Sequence, residues 1–153
     1  MPDHTAKPLA RYAPYRRAGD LVLMSGIVPM DPEMGRVIRG FEDLPADVCK
    51  TIGQTGEASV DLIDGPAFAQ SWYVLDKVRS TVEGLGGQMA DVIKLVQYFK
   101  DLRDFPRYNQ VRKLFYPDQP PASTVVEVSG MMPSAEVLIE VEATAYLPQI
   151  KDV

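Results

Sequence analysis

Hydrophobic and polar residues alternate most regularly near the C-terminus. Within Glu136–Tyr146 every second residue is apolar, which is the period of a strand with one buried face, and the opposite face carries Glu140 and Glu142. The segment Thr124–Ser129 also alternates, but it has apolar residues on both faces. Because Gly130–Ser134 separates the two segments, we predict a β-hairpin. Because the first strand of this hairpin has apolar residues on both faces, we expect helices or another subunit to cover the second face.

Two segments have the spacing of three and four residues that is typical of amphipathic helices. The first is predicted to begin at the Asp-Gly-Pro of residues 64–66 and to end at Gly84. The second is predicted to begin at Asp104 and to end at the Tyr-Pro of residues 116–117. The predicted buried stripes are Phe68, Trp72, Leu75, Val78 or Arg79, Val82 and Leu85 in the first helix, and Phe105, Tyr108, Val111, Leu114 and Phe115 in the second.

Three further strands complete the predicted sheet. Tyr12–Arg17 and Leu21–Ser25 form a short pair around a turn, and Asp91–Asp101 is a strand rich in β-branched and aromatic residues. Residues 36–64 are predicted to form an extended loop insertion with a short helical turn near Ala46–Ile52. The order β-β-α-β-α-β-β predicts an α+β fold in which a mixed sheet carries both helices on one face.

Composition and charge narrow the range of functions. The chain has 153 residues, of which 46% are hydrophobic and 24% are charged, so we predict one globular domain over residues 1–153. The formal net charge of −5 argues against nucleic acid as a partner, because binding to phosphates usually requires a basic patch. The chain has no apolar run of the length that spans a membrane, so we expect no membrane partner and a cytoplasmic location.

The chain has one cysteine, Cys49, and one histidine, His4. A Ser-His-Asp triad or a histidine-based metal site would have to use His4, which lies near the N-terminus. A single cysteine allows no internal disulfide and no paired-cysteine metal site. We therefore expect neither a Ser-His-Asp triad nor a metal site built from histidine or paired cysteines.

Short motifs along the chain resemble those of the Rid family, also called YjgF or endoribonuclease L-PSP. The motifs are Pro14-Tyr15, Leu23-Met24-Ser25-Gly26, Pro29, Asp31-Pro32, Gly35, Asp91-Val92-Ile93-Lys94, Lys100-Asp101-Leu102, Asp104-Phe105, Asn109, Val111, Pro121-Ala122, Val126-Glu127-Val128 and Ile139-Glu140-Val141-Glu142-Ala143. They fall in the order and at the spacing of that family. The resemblance covers nearly the whole chain except residues 36–64.

This resemblance implies a chorismate-mutase-like fold and a homotrimer with a pocket at each subunit interface. It also implies hydrolysis of a reactive enamine or imine, such as 2-aminoacrylate, to a keto acid and ammonia without a metal or cofactor. The implied pocket residues are Tyr15, Ser25, Gly26, Asn109 and Glu140. An arginine directly after the Pro-Ala pair anchors the carboxylate of the substrate in that family.

The chain departs from the family at this anchor. Ser123 stands where the arginine is expected, and Val125 occupies a position that is often cysteine. A serine hydroxyl donates one neutral hydrogen bond, so the resemblance indicates an arginine-less branch whose substrate is not 2-aminoacrylate. An arginine elsewhere could supply the charge, and the candidates are Arg16, Arg17, Arg36 and Arg39.

The pattern around Glu140 is compatible with proton transfer, but it is the family resemblance, and not the residues alone, that favours this role. Glu140 and Glu142 are two positions apart on one strand face, about 7 Å, so the charge of one raises the pKa of the other. A carboxylate with a raised pKa in a partly apolar interface suits the hydrolysis of a C=N bond, and Tyr15 could orient the water. The alternatives are solvated or ion-paired carboxylates at both glutamates, and interface packing for Tyr15.

Three functions remain in competition. The first is an enamine or imine deaminase acting on a small molecule, and the second is a non-catalytic trimer that binds a metabolite or acts as a chaperone. The third, a nuclease, follows only from one of the family's names. The acidic composition and the lack of a histidine base argue against it.

Overall fold

The computed structural model describes residues 8–149, so His4 lies outside the described part. The strands are β1 (Tyr15–Ala18), β2 (Leu21–Met24), β3 (Met30–Asp31), β4 (Arg36–Val37), β5 (Val92–Phe99), β6 (Ala122–Glu127) and β7 (Ile139–Tyr146). The α-helices are α1 (Ala46–Ile52), α2 (Ala58–Gly84) and α3 (Phe105–Phe115). Short 3-10 turns occur at Phe41–Asp43, Met89–Asp91 and Leu102–Asp104.

Five strands form one mixed sheet in the order β1-β2-β7-β5-β6, and β3 pairs with β4 in a separate two-stranded ribbon. The β1–β2 pair is antiparallel, with Tyr15 opposite Met24. β5 is antiparallel to β7 and parallel to β6. The predicted α+β class and the mixed sheet are confirmed.

The predicted hairpin of the last two strands is wrong. β5 lies between β6 and β7, which therefore do not pair with each other. The helix α3 carries the chain from β5 to the parallel strand β6, and residues 128–138 then cross to the opposite side of β5. Alternation identifies a strand and its buried face, but it does not identify the neighbouring strand, which depends on these crossings.

Both long helices pack on one face of the sheet, as predicted. The buried core joins Phe68, Val74, Leu75, Val78 and Val82 of α2 and Tyr108 and Val111 of α3 to Val22, Met24, Leu95, Phe99, Ile139, Val141, Ala143 and Ala145 of the sheet. The predicted core side of β7 is therefore confirmed. Leu114 was predicted to be buried but is 49% exposed, because it lies at the outer side of the last turn of α3.

The start of α2 differs from its predicted position at residues 64–66. The helix begins at Ala58, and Pro66 lies inside it. The carboxylate of Asp61 accepts hydrogen bonds from the backbone N–H groups of Thr55 and Gly56, which holds the preceding loop against the first turn. These first turns have no apolar stripe, since Leu62 is 78% exposed, and so hydrophobic periodicity did not reveal them.

No helix of residues 8–149 packs on the second face of the sheet, which we call the open face. It carries Arg16, Leu21, Leu23, Tyr146, Thr144, Glu142, Glu140, Val96, Tyr98, Thr124 and Val126, as the strand registers require. Leu23 and Tyr146 are each 48% exposed there. Large apolar side chains exposed on a sheet face are typical of a surface that another protein covers. Among residues 8–149, no helix combines the length and the apolar character needed to cross a membrane.

Candidate functional site

Glu140 lies on the open face near the start of β7, directly opposite Tyr98 of β5. Burial, and to a smaller extent the charge of Glu142, raises the pKa of Glu140 above the usual range of a glutamate. The Tyr98 hydroxyl donates to Oε1 of Glu142 at 3.3 Å. The sequence predicted a pKa increase caused by Glu142, whereas the larger cause is burial.

Gly26 makes this burial possible. The chain leaves β2 and pairs with β7 through Ile27, whose N–H donates to the carbonyl of Val141 at 2.8 Å. This pairing places Gly26 against the Glu140 carboxylate, where a Cβ atom would overlap Oε1 and lie 2.9 Å from Cδ. A glycine is therefore required beside Glu140 by close approach rather than by an unusual backbone angle.

Ser25 has a hydrogen-bonding partner inside the chain. Its hydroxyl donates to the carbonyl of Ala13 at 2.6 Å, and its backbone N–H donates to the carbonyl of Pro14 at 3.0 Å. Both bonds hold the segment that leads into β1. The hydroxyl proton of Ser25 is thus engaged, so towards a ligand this hydroxyl can only accept hydrogen bonds through its two lone pairs.

Tyr15 lies on the helix-covered face of the sheet, on the edge strand β1. It pairs with the buried Met24 and packs against the main core. Glu140 lies on the opposite face of the same sheet. Within one chain, the two residues predicted to be catalytic are therefore not brought together.

Ser123 is the second residue of the other edge strand, β6, and takes part in a polar cluster with Arg112 that sequence reasoning missed. The Nη1 atom of Arg112 donates to Oγ of Ser123 at 2.8 Å and to Oε1 of Gln97 at 2.7 Å. Its Nη2 atom donates to Oδ1 of Asn109 at 3.0 Å. We call Gln97, Asn109, Arg112 and Ser123 the arginine cluster.

The predicted residues Asn109 and Val125 lie beside this cluster. Asn109 is half-buried on α3, where its side chain holds the guanidinium of Arg112. Val125 pairs with Gln97 and packs against the main core. The only available signal for Arg112 in the sequence was its helical spacing from Asn109 and Tyr108, which puts the three side chains on one side of α3.

Gln97 is completely buried and joins three elements. Its amide nitrogen donates to the carbonyl of Thr124 at 2.9 Å, and its amide oxygen accepts from the Tyr108 hydroxyl at 2.6 Å. These bonds connect β5 to β6 and to α3. The position of Arg112 relative to Ser123 is thus fixed by the interior of the protein.

Three of the four arginines that the sequence offered as a replacement charge are engaged elsewhere. Arg36 forms a two-pronged ion pair with Asp43, at 2.6 and 2.7 Å. Arg39 lies 3.4 Å from a carboxylate oxygen of Glu136, and Arg17 donates to the carbonyl of Leu147 at 2.8 Å. Arg16 lies on the open face opposite Leu23.

The segment 36–64, predicted to be an extended loop, contributes to a separate pocket. A cavity of about 200 Å³ between α1, α2 and α3 is lined by Asp47, Val48, Thr51, Ile52, Trp72, Arg79, Leu114 and Phe115. Trp72 is half-buried there, at the flank of the core, as its place in the predicted stripe indicated. None of the predicted site residues lines this cavity.

Apart from Ser25, the predicted site residues thus lie in three separate places within one chain. Gly26 and Glu140 belong to the open face, whereas Asn109, Ser123 and Val125 belong to the helix-covered face near the β6 edge. Tyr15 lies at the β1 edge, which is four strand spacings, or about 19 Å, from β6. In the described residues 8–149, no group of three His, Cys, Asp or Glu side chains is arranged to hold a metal ion.

The chain is similar to known proteins over nearly its whole length. Residues 3–147 match the family described as Endoribonuclease L-PSP. A candidate endoribonuclease from Klebsiella pneumoniae has a solved structure that is 60% identical to this chain and covers 90% of it and 100% of its own chain, with a TM-score of 0.88.

Two relatives have deaminase names. The 2-iminobutanoate/2-iminopropanoate deaminase of Escherichia coli strain K12 is 30% identical over 130 residues, covering 83% of this chain and 80% of its own length. The 3-aminoacrylate deaminase RutC of Acinetobacter baylyi is 29% identical over 147 residues, covering 96% of this chain and 95% of its own length.

Proposed function

Since the chain belongs to the endoribonuclease L-PSP family, also called the Rid family, we propose that it is a hydrolytic deaminase of a small enamine or imine. The observation that carries this proposal is the Glu140 carboxylate, which is partly buried against Gly26 and has a raised pKa. Relatives with deaminase names support the same class of reaction.

Glu140 would manage the protons of the reaction. In its protonated form, it donates a proton to the enamine carbon, which converts the substrate to an iminium ion. The resulting carboxylate then accepts a proton from the water that adds to the C=N carbon. Collapse of this adduct releases ammonia and leaves a carbonyl compound. A raised pKa of Glu140 suits both steps, because the side chain must act first in its protonated form and then in its deprotonated form.

The pocket is proposed to lie between copies of this chain. Gly26 and Glu140 of one subunit would face the β6 edge of a neighbour, since one chain keeps these groups on opposite faces of its sheet. A contact between two different surfaces repeats around a closed ring, which agrees with the expected homotrimer. The exposed Leu23 and Tyr146 on the open face would be covered in that assembly.

The assembly is tested by the mass of the protein in solution. We expect about three times the chain mass of 16.9 kDa by light scattering coupled to size-exclusion chromatography. A species of 16.9 kDa at micromolar concentration would contradict a pocket shared between subunits.

The substrate is proposed to differ from 2-aminoacrylate, because the family position of the anchoring arginine is Ser123. Ammonia release would be measured with 2-aminoacrylate generated in situ, and with 3-aminoacrylate and 2-iminobutanoate. We expect little acceleration of the first reaction and clear acceleration of at least one other enamine or imine.

Glu140→Gln tests the chemical role directly, because the amide keeps the shape of the side chain but cannot transfer the proton. We expect turnover to fall by at least about a hundredfold while the mass in solution stays the same. The matched control is Glu83→Gln, which changes an exposed glutamate on α2. An unchanged rate in Glu140→Gln would exclude the proton-transfer role.

The absence of arginine at position 123 also supports a second candidate, a non-catalytic trimer that binds a metabolite. This candidate predicts saturable binding of a small molecule with no ammonia release from any of the three compounds. It also predicts that Glu140→Gln leaves that binding unchanged, since a carboxylate that transfers no proton is not required.

A further inference from the structure

The guanidinium of Arg112 has no acidic partner in the part of the chain that the structure describes. None of the carboxylates there lies within 4.0 Å of it. Instead, its acceptors are three neutral side chains, those of Gln97, Asn109 and Ser123. Half-buried arginines usually have a carboxylate partner, so this one carries an uncompensated positive charge at the protein surface.

The arginine is also held in place. Its guanidinium carbon lies 5.4 Å from the ring centroid of Tyr108 and 5.7 Å from that of Phe105. Three of its five N–H groups are used in the arginine cluster, which leaves two for another acceptor. A rigid guanidinium with free N–H groups loses little conformational entropy when it binds an anion.

Ser123 provides a further donor at the same place. Its Oγ atom accepts from Nη1 of Arg112 at 2.8 Å and from Nε2 of Gln97 at 3.0 Å. A hydroxyl oxygen has two lone pairs, and both are used, so its own proton is left to donate outwards. Ser123 is exposed on the edge strand β6, where a ligand can reach it.

We propose that Arg112 and Ser123 together bind the carboxylate of a monoanionic ligand at the β6 edge. The single uncompensated charge matches one carboxylate, and the remaining N–H groups of Arg112 and the Ser123 hydroxyl are the donors that its two oxygens would use. A serine replaces an arginine on β6, while the positive charge is supplied by α3 from behind it. The anchoring point is therefore set back from the strand, which leaves room for a substrate larger than 2-aminoacrylate.

The proposed function is needed only to say that the bound ligand is a substrate. The anion site itself is therefore tested by binding alone. The probe is sodium pyruvate, and methyl pyruvate is its uncharged counterpart. Titration of the full-length protein would be followed by nuclear magnetic resonance through the side-chain amide signals of Gln97 and Asn109. We expect saturable shifts with pyruvate and none with methyl pyruvate.

Two variants at one position keep the test informative if one of them fails to fold. Arg112→Gln should weaken pyruvate binding by at least about tenfold, because a charged hydrogen bond is lost. Arg112→Lys should retain part of the affinity, since it keeps the charge but not the fixed fork. The matched control Arg103→Gln removes an arginine that is paired with Asp101 and should bind pyruvate like the unmodified protein.

The proposal is overturned if pyruvate and methyl pyruvate shift the same signals alike, if Arg112→Gln binds pyruvate with unchanged affinity, or if Arg103→Gln weakens binding equally. The proposed deaminase function is judged separately. Glu140→Gln is expected to lose turnover and to keep its affinity for pyruvate. Loss of pyruvate binding in Arg112→Gln together with normal turnover in Glu140→Gln would leave the anion site valid and refute the proton-transfer role.

Discussion

At the scale of single residues, Glu140 is an ionisable side chain that is partly buried. It lies on the open face of the sheet, and its carboxylate is held against the backbone of Gly26. The raised pKa that results is unfavourable for stability above the pKa of the unfolded chain, because the folded state then binds the proton more tightly than the unfolded state. A residue that reduces stability at neutral pH is more readily explained by function than by structure.

The pKa shift of Glu140 predicts a specific pH dependence of stability. As the pH rises from about 4 through the raised pKa, the unmodified protein loses free energy of unfolding at this residue. Glu140→Gln has no such loss, so its stability relative to the unmodified protein should increase across that range and then become constant. Urea denaturation at a series of pH values measures this difference. A relative stability that does not vary with pH would contradict the raised pKa.

Gly26 is predicted to be required for activity rather than for folding. In Gly26→Ala, the new Cβ would overlap the carboxylate of Glu140, and the end of that side chain would move away. We expect ammonia release to fall at least about tenfold while thermal unfolding changes little, because displaced catalytic groups lose rate steeply. Gly84→Ala is the control, since no atom lies within 4 Å of its Cβ position. Equal rates in the two variants would contradict the predicted displacement.

At the scale of elements, a buried glutamine on α2 positions the start of β7. The amide nitrogen of Gln70 donates to the carbonyls of Ile38 and Glu136, each at 2.9 Å. Its amide oxygen accepts from the backbone N–H of Leu138 at 2.8 Å. These bonds fix the segment that delivers Glu140 to the sheet. Hydrophobic periodicity gave no indication of this role, because a polar residue inside an apolar stripe looks like an interruption.

Gln70→Met is therefore predicted to destabilise the fold although it conserves volume. Three backbone groups lose their hydrogen-bonding partner, and each buried polar group that is left unpaired costs about 1–3 kcal/mol of stability. We expect the urea midpoint to fall and the slope of the transition to stay the same. Gln110→Met, at an exposed position of α3, should change stability by no more than about 0.5 kcal/mol. Equal effects of both substitutions would show that the three bonds contribute little.

At the scale of the whole molecule, the two faces of the sheet determine what one chain can do. The open face supplies Glu140 from the central strand β7, and the helix-covered face supplies the arginine cluster from β5, α3 and β6. A single chain thus carries one half of the proposed pocket around Glu140 and the other half around the arginine cluster. Catalysis and assembly are then linked, since a subunit without a neighbour has no complete site.

This arrangement predicts that two variants, each impaired in a different half of the pocket, recover ammonia release when their subunits are mixed and assayed at low substrate concentration. Glu140→Gln supplies a normal arginine cluster, and Arg112→Gln supplies a normal Glu140. After the subunits are unfolded together and refolded at equal amounts, about a quarter of the interfaces should combine both intact halves, by random assortment in a closed ring. Ammonia release near that fraction of the unmodified rate is expected. Activity no higher than that of either variant alone would contradict a shared pocket.

Much of the fold could be predicted from local patterns. The strand period identified β7 and its buried face, and the motif order identified the family. The helical period identified most of the core residues of α2 and α3, but it missed Val74 and wrongly included Leu114. The errors occur where local pattern is weak. The first turns of α2 have no apolar stripe, and Pro66 looked like the start of a helix because proline is common there.

The sequence by itself determined the class of fold, the family and the identity of Glu140 as the residue to test. These follow from periodicity and short motifs, which are properties of neighbouring residues. Only the tertiary structure decided that β5 separates β6 from β7, that Glu140 and Tyr15 lie on opposite faces, and that Arg112 stands behind Ser123. The physical reason is that these contacts join distant segments, and their geometry depends on how the strands cross and pack rather than on any local pattern.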